Sequence, residues 1–163
     1  MEIKKYIFRK TNWWAAANYN IFDESKSLIF TSSSPIWQFR KQIKVKSKRD
    51  DSITEIIPTN SWQTKYKIIE QDYMLAQIKR NHAFSKVFLT VHPLESDAFE
   101  VLVSAWGNTF RFMKDEEEFG IISFDIWKPG EFGMAIHNDH YEESLIIAVA
   151  ILVAELKQRN AGV

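Results

Sequence analysis

A chain of 163 residues with no cysteine and equal numbers of basic and acidic side chains leaves out several classes of protein at once. A disulfide scaffold, a thiol nucleophile, a thiolate zinc site and a palmitoyl anchor all need cysteine, and a neutral chain lacks the usual electrostatic profile of a nucleic-acid binder. At 45% hydrophobic and 26% charged residues the composition is that of an ordered globular protein, read here as one domain over residues 1–163 with no linker and no internal repeat.

Taken in chain order, the start MEIKKYIFRK has no apolar run of signal-peptide length, which together with the missing cysteines points to a cytoplasmic protein. Short alternating or apolar runs broken by polar turns then predict about a dozen strands. They fall at residues 3–8, 13–22, 27–31, 43–47, 52–57, 65–70, 73–80, 85–91, 100–105, 109–114, 119–127 and 132–137. Turn chemistry supports the joints at Asp23-Glu24-Ser25-Lys26, Asp50-Asp51, Glu95-Ser96-Asp97, Gly107-Asn108 and Asp115 to Glu118, with Gly107-Asn108 the strongest hairpin signal. No glycine precedes Gly107, so the first hundred residues have to turn on Asn, Asp, Ser and Pro.

The last element is SLIIAVAILVAEL, in which Leu145 to Ala154 carry no polar side chain. A membrane span needs about 20 apolar residues, and ten rise only about 15 Å as a helix. Extending the window would draw in Glu142, Glu143, Glu155 and Lys157 at a few kcal/mol each. The β-branched residues Ile146, Ile147, Val149, Ile151 and Val153 suggest a strand, but the punctuation is helical. Asp139 with Glu142 has the form of a cap and its capping partner, Glu142 and Glu143 put acid in the first turn, Lys157 and Arg159 put base in the last, and Gly162 is a stop. The spacing predicts a helix over about 141–159 with no polar face in its middle, so it must be surrounded on every side. Its burial is worth on the order of 10–20 kcal/mol before entropy is charged against it. A mainly β, closed antiparallel barrel of about twelve strands enclosing this hydrophobic C-terminal helix satisfies both parts.

The stretches TKYKIIEQDYMLAQIKR, FSKVFLTV, EVLVSAWGNTFRF, EEFGIISFDIW, FGMAIH and YEESLIIAVAILVAEL resemble the tubby C-terminal-like group, particularly the LURP-one-related proteins and, more distantly, phospholipid scramblases. The resemblance covers residues 60–158 well, and the N-terminal third more loosely through the hairpin at 18–31 and the strand near Ile43. It implies a 12-stranded barrel around a hydrophobic C-terminal helix. Tubby domains bind phosphoinositides through basic surface residues, scramblases are linked to phospholipid movement, and LURP-one-related proteins have no established reaction. The scramblase cysteine cluster is missing, so lipidation does not carry over, and Asp23-Glu24-Ser25-Lys26 stands where the first hairpin usually has Asp-Gly.

The densest basic segment, RKQIKVKSKR, holds six Lys/Arg in ten residues. If Ile43 and Val45 point into the barrel, alternation puts Lys44, Lys46 and Lys48, with Arg40, on the outer face. Arg40, Lys41, Lys44, Lys46, Lys48 and Arg49 are therefore the candidate ligands for an anionic phospholipid headgroup or other phosphate at a peripheral membrane surface. A solvated strand face, or lysines guarding an edge, accounts for the same pattern. Each basic residue near an anionic membrane adds about 1 kcal/mol, so four to six give millimolar to tens-of-micromolar binding, and a second strand must help enclose the headgroup.

The other constellations are weaker. His137-Asn138-Asp139-His140 with Glu142 and Glu143 is a poor metal pattern whose acids already open the helix. Asp115 to Glu118 lacks calcium-loop spacing, and the six tryptophans read as core or rim packing. No nucleophile elbow, phosphate loop, dinucleotide fingerprint or zinc-protease helix is present, and His82 and His92 have no evident partner. The expectation is a non-catalytic binding module without cofactor, metal or nucleic-acid partner, with a scaffold domain next and an enzyme last. The scaffold reading draws on charge. Residues 1–80 hold 15 Lys/Arg against 8 Asp/Glu and residues 81–163 hold 6 against 13, net +7 and −7, an asymmetry that could drive self-association.

Overall fold

The structure, a computed structural model, describes residues 2–11, 17–34, 42–82, 85–124, 128–137 and 140–161, without the side chains of 160 and 161. Twelve strands precede one helix: β1 Lys4–Lys10, β2 Tyr19–Phe22, β3 Leu28–Ser33, β4 Ile43–Ser47, β5 Ile53–Pro58, β6 Lys65–Glu70, β7 Tyr73–Arg80, β8 Val87–Pro93, β9 Phe99–Val103, β10 Thr109–Lys114, β11 Glu117–Phe124, β12 Glu131–Ile136 and α1 Glu143–Ala161. Each strand pairs antiparallel with its sequence neighbours, and β1 pairs β12 to close the barrel. Phe8 lies opposite Phe132 across that closing ladder, their rings stacked with centroids 4.3 Å apart. No sheet edge is left open, which removes the pairing hazard of an unpartnered strand.

Alternation sorts the side chains. In β4, Ile43, Val45 and Ser47 point inward while Lys44 and Lys46 face out. The inward set of the other strands, including Phe99, Phe110, Phe112, Ile68 and Leu89, is fully buried and packs around α1. Every residue from Leu145 to Ala154 is at most 2% exposed, so the helix is jacketed on all sides, as a wheel without a polar face demands. The interior has little slack. A Cβ added at Gly120 on β11 would lie 3.0 Å from both Ile136 Cγ1 and Phe112 Cδ2, and glycine is what lets those two side chains fill the space.

Several boundaries differ from those expected. The helix begins at Glu143 rather than 141, and its first bond runs from Ile146 N–H to the Glu142 carbonyl at 3.2 Å, which puts Glu142 at the helix edge. Asp139, expected as the cap, and Gly162, expected as the stop, lie outside the described residues. The apolar run 13–22 yields a strand only over Tyr19–Phe22, with 12–16 outside the described residues. Residues 125–127 of the run 119–127 are outside them too. Strand β9 stops at Val103, because Ser104 turns the chain: Gly107 N–H donates to the Ser104 carbonyl at 2.9 Å, with Gly107 in the left-handed region at φ 70°.

Scarcity of glycine shows in the turns. Lys26, Asp51, Gln63, Gln71, Asp72, Asp115 and Glu116 all take positive φ. Gln71-Asp72 and Asp115-Glu116 are two-residue hairpin loops, flanked by the pairs Glu70↔Tyr73 and Lys114↔Glu117. A loop with both central residues left-handed normally carries Asn-Gly, and an L-residue there costs roughly 1–2 kcal/mol. At β2–β3 a carboxylate does the work: Asp23 Oδ1 accepts hydrogen bonds from Ser25 Oγ at 2.7 Å and from the Ser25 and Ser27 amides at 3.0 Å, and these hold its carboxyl below the usual range.

The barrel has two distinct ends. At the lower end, where α1 begins, lie the β2–β3, β4–β5, β6–β7, β8–β9 and β10–β11 connections; at the upper end, where α1 finishes, lie the other six. The upper end is closed by a polar lock. Glu155, 1% exposed, accepts a hydrogen bond from Arg159 Nε at 3.1 Å; Arg159 also donates to the Gln63 side chain. Lys10 donates to Gln158 at 3.2 Å and Gln158 to Tyr19 at 3.3 Å.

Candidate anion-binding face

The outer wall of β4 presents the cations that the sequence singled out. Lys44, Lys46, Lys48 and Arg49 are all exposed, Lys44 and Lys46 on the strand, Lys48 and Arg49 in the turn that follows. Arg40 and Lys41 lie outside the described residues. The row bends at its end: Arg49 turns to the lower mouth and donates to Glu143 Oε1 at 3.0 Å, joining β4–β5 to the start of α1.

Carboxylates temper this row. Lys46 Nζ lies 3.6 Å from Asp51, with the side chains 48% and 82% exposed, an ion pair worth at most about 1 kcal/mol. Lys44 sits across the ladder from Glu55, whose carboxylate also accepts a hydrogen bond from Gln42. Solvent-exposed pairs of this kind yield to a ligand of higher charge, so the row is weakened and not cancelled.

A second group of basic side chains occupies the same wall two to four strands on. Lys65 and Lys67 point out of β6, Lys79 out of β7 and His92 out of β8, around a groove of about 360 Å³. The alternation of Lys65, Tyr66, Lys67 and Ile68 was visible in the sequence. The register that brings Lys79 opposite was not, since a two-residue loop alone would set Ile78 across from Lys65 and it is a β-bulge between Ile68 and Ile69 that shifts the pairing by one residue.

At the lower mouth a cleft of about 860 Å³ opens between β1, the β6–β7 and β8–β9 turns and the start of α1, with Glu70, Glu95, Glu142 and Glu143 on its walls. There Tyr6 Oη donates to Glu143 Oε2 at 2.6 Å, and burial followed by this bond pushes the phenol well above its usual pKa. Of the expected metal quartet, His137 is half-buried and His140 exposed, while Asn138 and Asp139 are outside the described residues. Among the described residues no three His, Cys, Asp or Glu side chains are grouped to hold a metal, and no helix is long and apolar enough to cross a membrane. Trp62 and Trp106, expected in core or rim packing, are 84% and 90% exposed in upper-end turns; the other four tryptophans lie outside the described residues.

The fold has a solved counterpart. The X-ray structure of the Arabidopsis thaliana protein AT5G01750 aligns with a TM-score of 0.68 over 94% of this chain and 91% of that one, at 11% sequence identity. At that identity the likeness establishes the shared architecture, the twelve-stranded barrel around a C-terminal helix. No family model and no curated protein matches the sequence.

Proposed function

We propose that this barrel is a non-catalytic, cytoplasmic binding domain of the tubby-like, LURP-one-related kind that engages an anionic phospholipid headgroup through the outer face of β4. The observation that carries this reading is the outward row of Lys44, Lys46 and Lys48, three cations on one wall answered by an exposed Asp51 and a half-buried Glu55. Three such charges near an anionic surface supply about 3 kcal/mol, which corresponds to a dissociation constant on the order of 10 mM. Association is therefore peripheral, reversible and salt-sensitive. Co-sedimentation with phosphatidylserine-containing liposomes tests it: the Lys44→Glu, Lys46→Glu, Lys48→Glu triple variant partitions less than the wild type, and equal partitioning sinks the reading.

A second reading, a scaffold that self-associates, draws on charge sorted by end. Among the described residues the lower-end turns carry Asp23, Glu24, Asp50, Asp51, Asp72, Glu95, Asp97, Asp115 and Glu116 against Lys26, Lys48 and Arg49, and the upper end carries Lys10, Arg80, Lys86, Lys128, Lys157 and Arg159 against Glu131 and Glu155. Oppositely charged ends favour head-to-tail contact. Light scattering then finds oligomers at low salt that dissociate as salt is added; a monomer at every salt concentration rejects it.

A further inference from the structure

The groove on β6, β7 and β8 has an arrangement that the β4 row lacks. Lys65 lies directly across the ladder from Lys79, and two residues along the same face Lys67 lies across from Gln77, which in turn faces His92. Lys65, Lys67, Lys79, Gln77 and His92 line one concavity with Thr59 at its rim, while the intervening Tyr66 and Ile78 point inward and are buried.

Like charges directly opposite each other destabilise an antiparallel pair. No other pair of lysines faces directly across a ladder among the described strands. Two lysines elsewhere have carboxylate partners, Lys46 with Asp51 at 3.6 Å and Lys114 with Asp97 at 3.3 Å. Among the described residues, Lys65, Lys67 and Lys79 have none. The nearest acids by register are Glu55, held by Gln42, and Glu100, across from Thr90 on β9. The Gln77 amide gives one of its two N–H donors to the Met74 sulfur at 3.8 Å, a weak acceptor, and so keeps hydrogen-bonding capacity for something better.

We propose that this groove is a phosphoryl-binding site. A phosphomonoester brings close to two negative charges and three acceptor oxygens, enough to satisfy three ammonium groups with the Gln77 amide and His92 ring as further donors, where a lone carboxylate would leave most of them unanswered. A volume of about 360 Å³ is near the small limit for ligand sites, which favours a phosphomonoester or pyrophosphate over a dinucleotide. The site does not rest on the β4 reading.

The test is an amide NMR titration with inorganic pyrophosphate in dilute, phosphate-free buffer, alongside flotation with phosphatidylcholine vesicles with and without phosphatidic acid. Saturable shifts at residues 65–67, 77–79 and 92 are expected, weakened on the order of tenfold or more in Lys67→Gln, Lys79→Gln. Lys79→Gln alone melts no lower than the wild type, because it relieves the repulsion with Lys65. Saturation by pyrophosphate without vesicle recruitment supports a free phosphate ligand. Recruitment by phosphatidic acid that is lost in the Lys67→Gln, Lys79→Gln variant, and kept in the β4 triple variant, supports a lipid headgroup. Shifts confined to β4 overturn this site and leave the β4 reading standing; no saturable shift and no recruitment overturn it outright.

Discussion

The two ends of the barrel close by different means. The lower end, with its tight turns, gathers acids around the start of α1, where the positive end of the helix dipole favours them; the upper end gathers bases around the finish and locks the helix with hydrogen bonds from Arg159 to Glu155 and Gln63, from Lys10 to Gln158 and from Gln158 to Tyr19. Charge is thus sorted along the helix axis and not by halves of the chain. Lys86, Lys128, Lys157 and Arg159 from the acidic half lie at the upper end, while Asp23, Glu24, Asp50, Asp51 and Asp72 from the basic half lie at the lower. The difference teaches that α1 is anchored at its finish by a buried carboxylate and an amide, Glu155 and Gln158, and at its start by one half-buried carboxylate, Glu143, that Tyr6 and Arg49 hold at the mouth of the cleft.

The comparison breaks most completely if α1 is removed. Truncation before Leu145 should abolish folding, seen as loss of cooperative melting and of amide dispersion, since both ends are built on the helix; a folded truncate would refute the architecture. Alkali comes next. Burial raises the phenols of Tyr6 at the lower end and of Tyr19 and Tyr66 at the upper. The folded state therefore keeps protons that the unfolded chain releases near pH 10. Stability is full below that pH and falls as pH rises above it, so melting temperatures should decline steadily in alkaline buffer. Replacing Tyr19 with Phe should reduce the slope.

A sharper probe of the upper lock is Arg159→Met. It takes one partner from the buried Glu155 carboxylate and should cost on the order of 3 kcal/mol, lowering the melting temperature by roughly 6–12 °C. A loss under about 1 kcal/mol would show that the lock is held elsewhere. The smallest change goes the other way. Glu116→Gly at the lower end relieves a left-handed side chain at φ 68° and should gain about 0.5–1 kcal/mol once the entropy of the unfolded glycine is deducted, measurable as a shifted denaturant midpoint.

How much of this was legible depended on whether the signal was local. Ten apolar residues covering a whole helical wheel admit few homes, so the enclosed helix could be read from Leu145 to Ala154 alone. The inside and outside of β4 followed from the alternation of Ile43, Lys44, Val45 and Lys46. What escaped was long-range. Glu155 reads as a terminal charge just past an apolar run, and its burial depends on Arg159 meeting Gln63 from the distant β5–β6 turn. The opposition of Lys65 and Lys79 depends on a β-bulge between Ile68 and Ile69, where Leu75 is the extra residue on β7; the two-residue loop Gln71-Asp72 alone would have set Lys65 against Ile78, and nothing in the alternation of either strand announces the shift.

Because α1 follows all twelve strands, a ribosome makes the barrel's wall before its filling. Until that segment emerges, the inward faces of Phe99, Phe110 and Phe112 have nothing to enclose, and the nascent sheet is a sticky ribbon with two raw borders. Closure joins the first strand to the last around a late guest, a slow, high-contact-order step, and in the cell this protein is at its most vulnerable in the moments before translation delivers its centre.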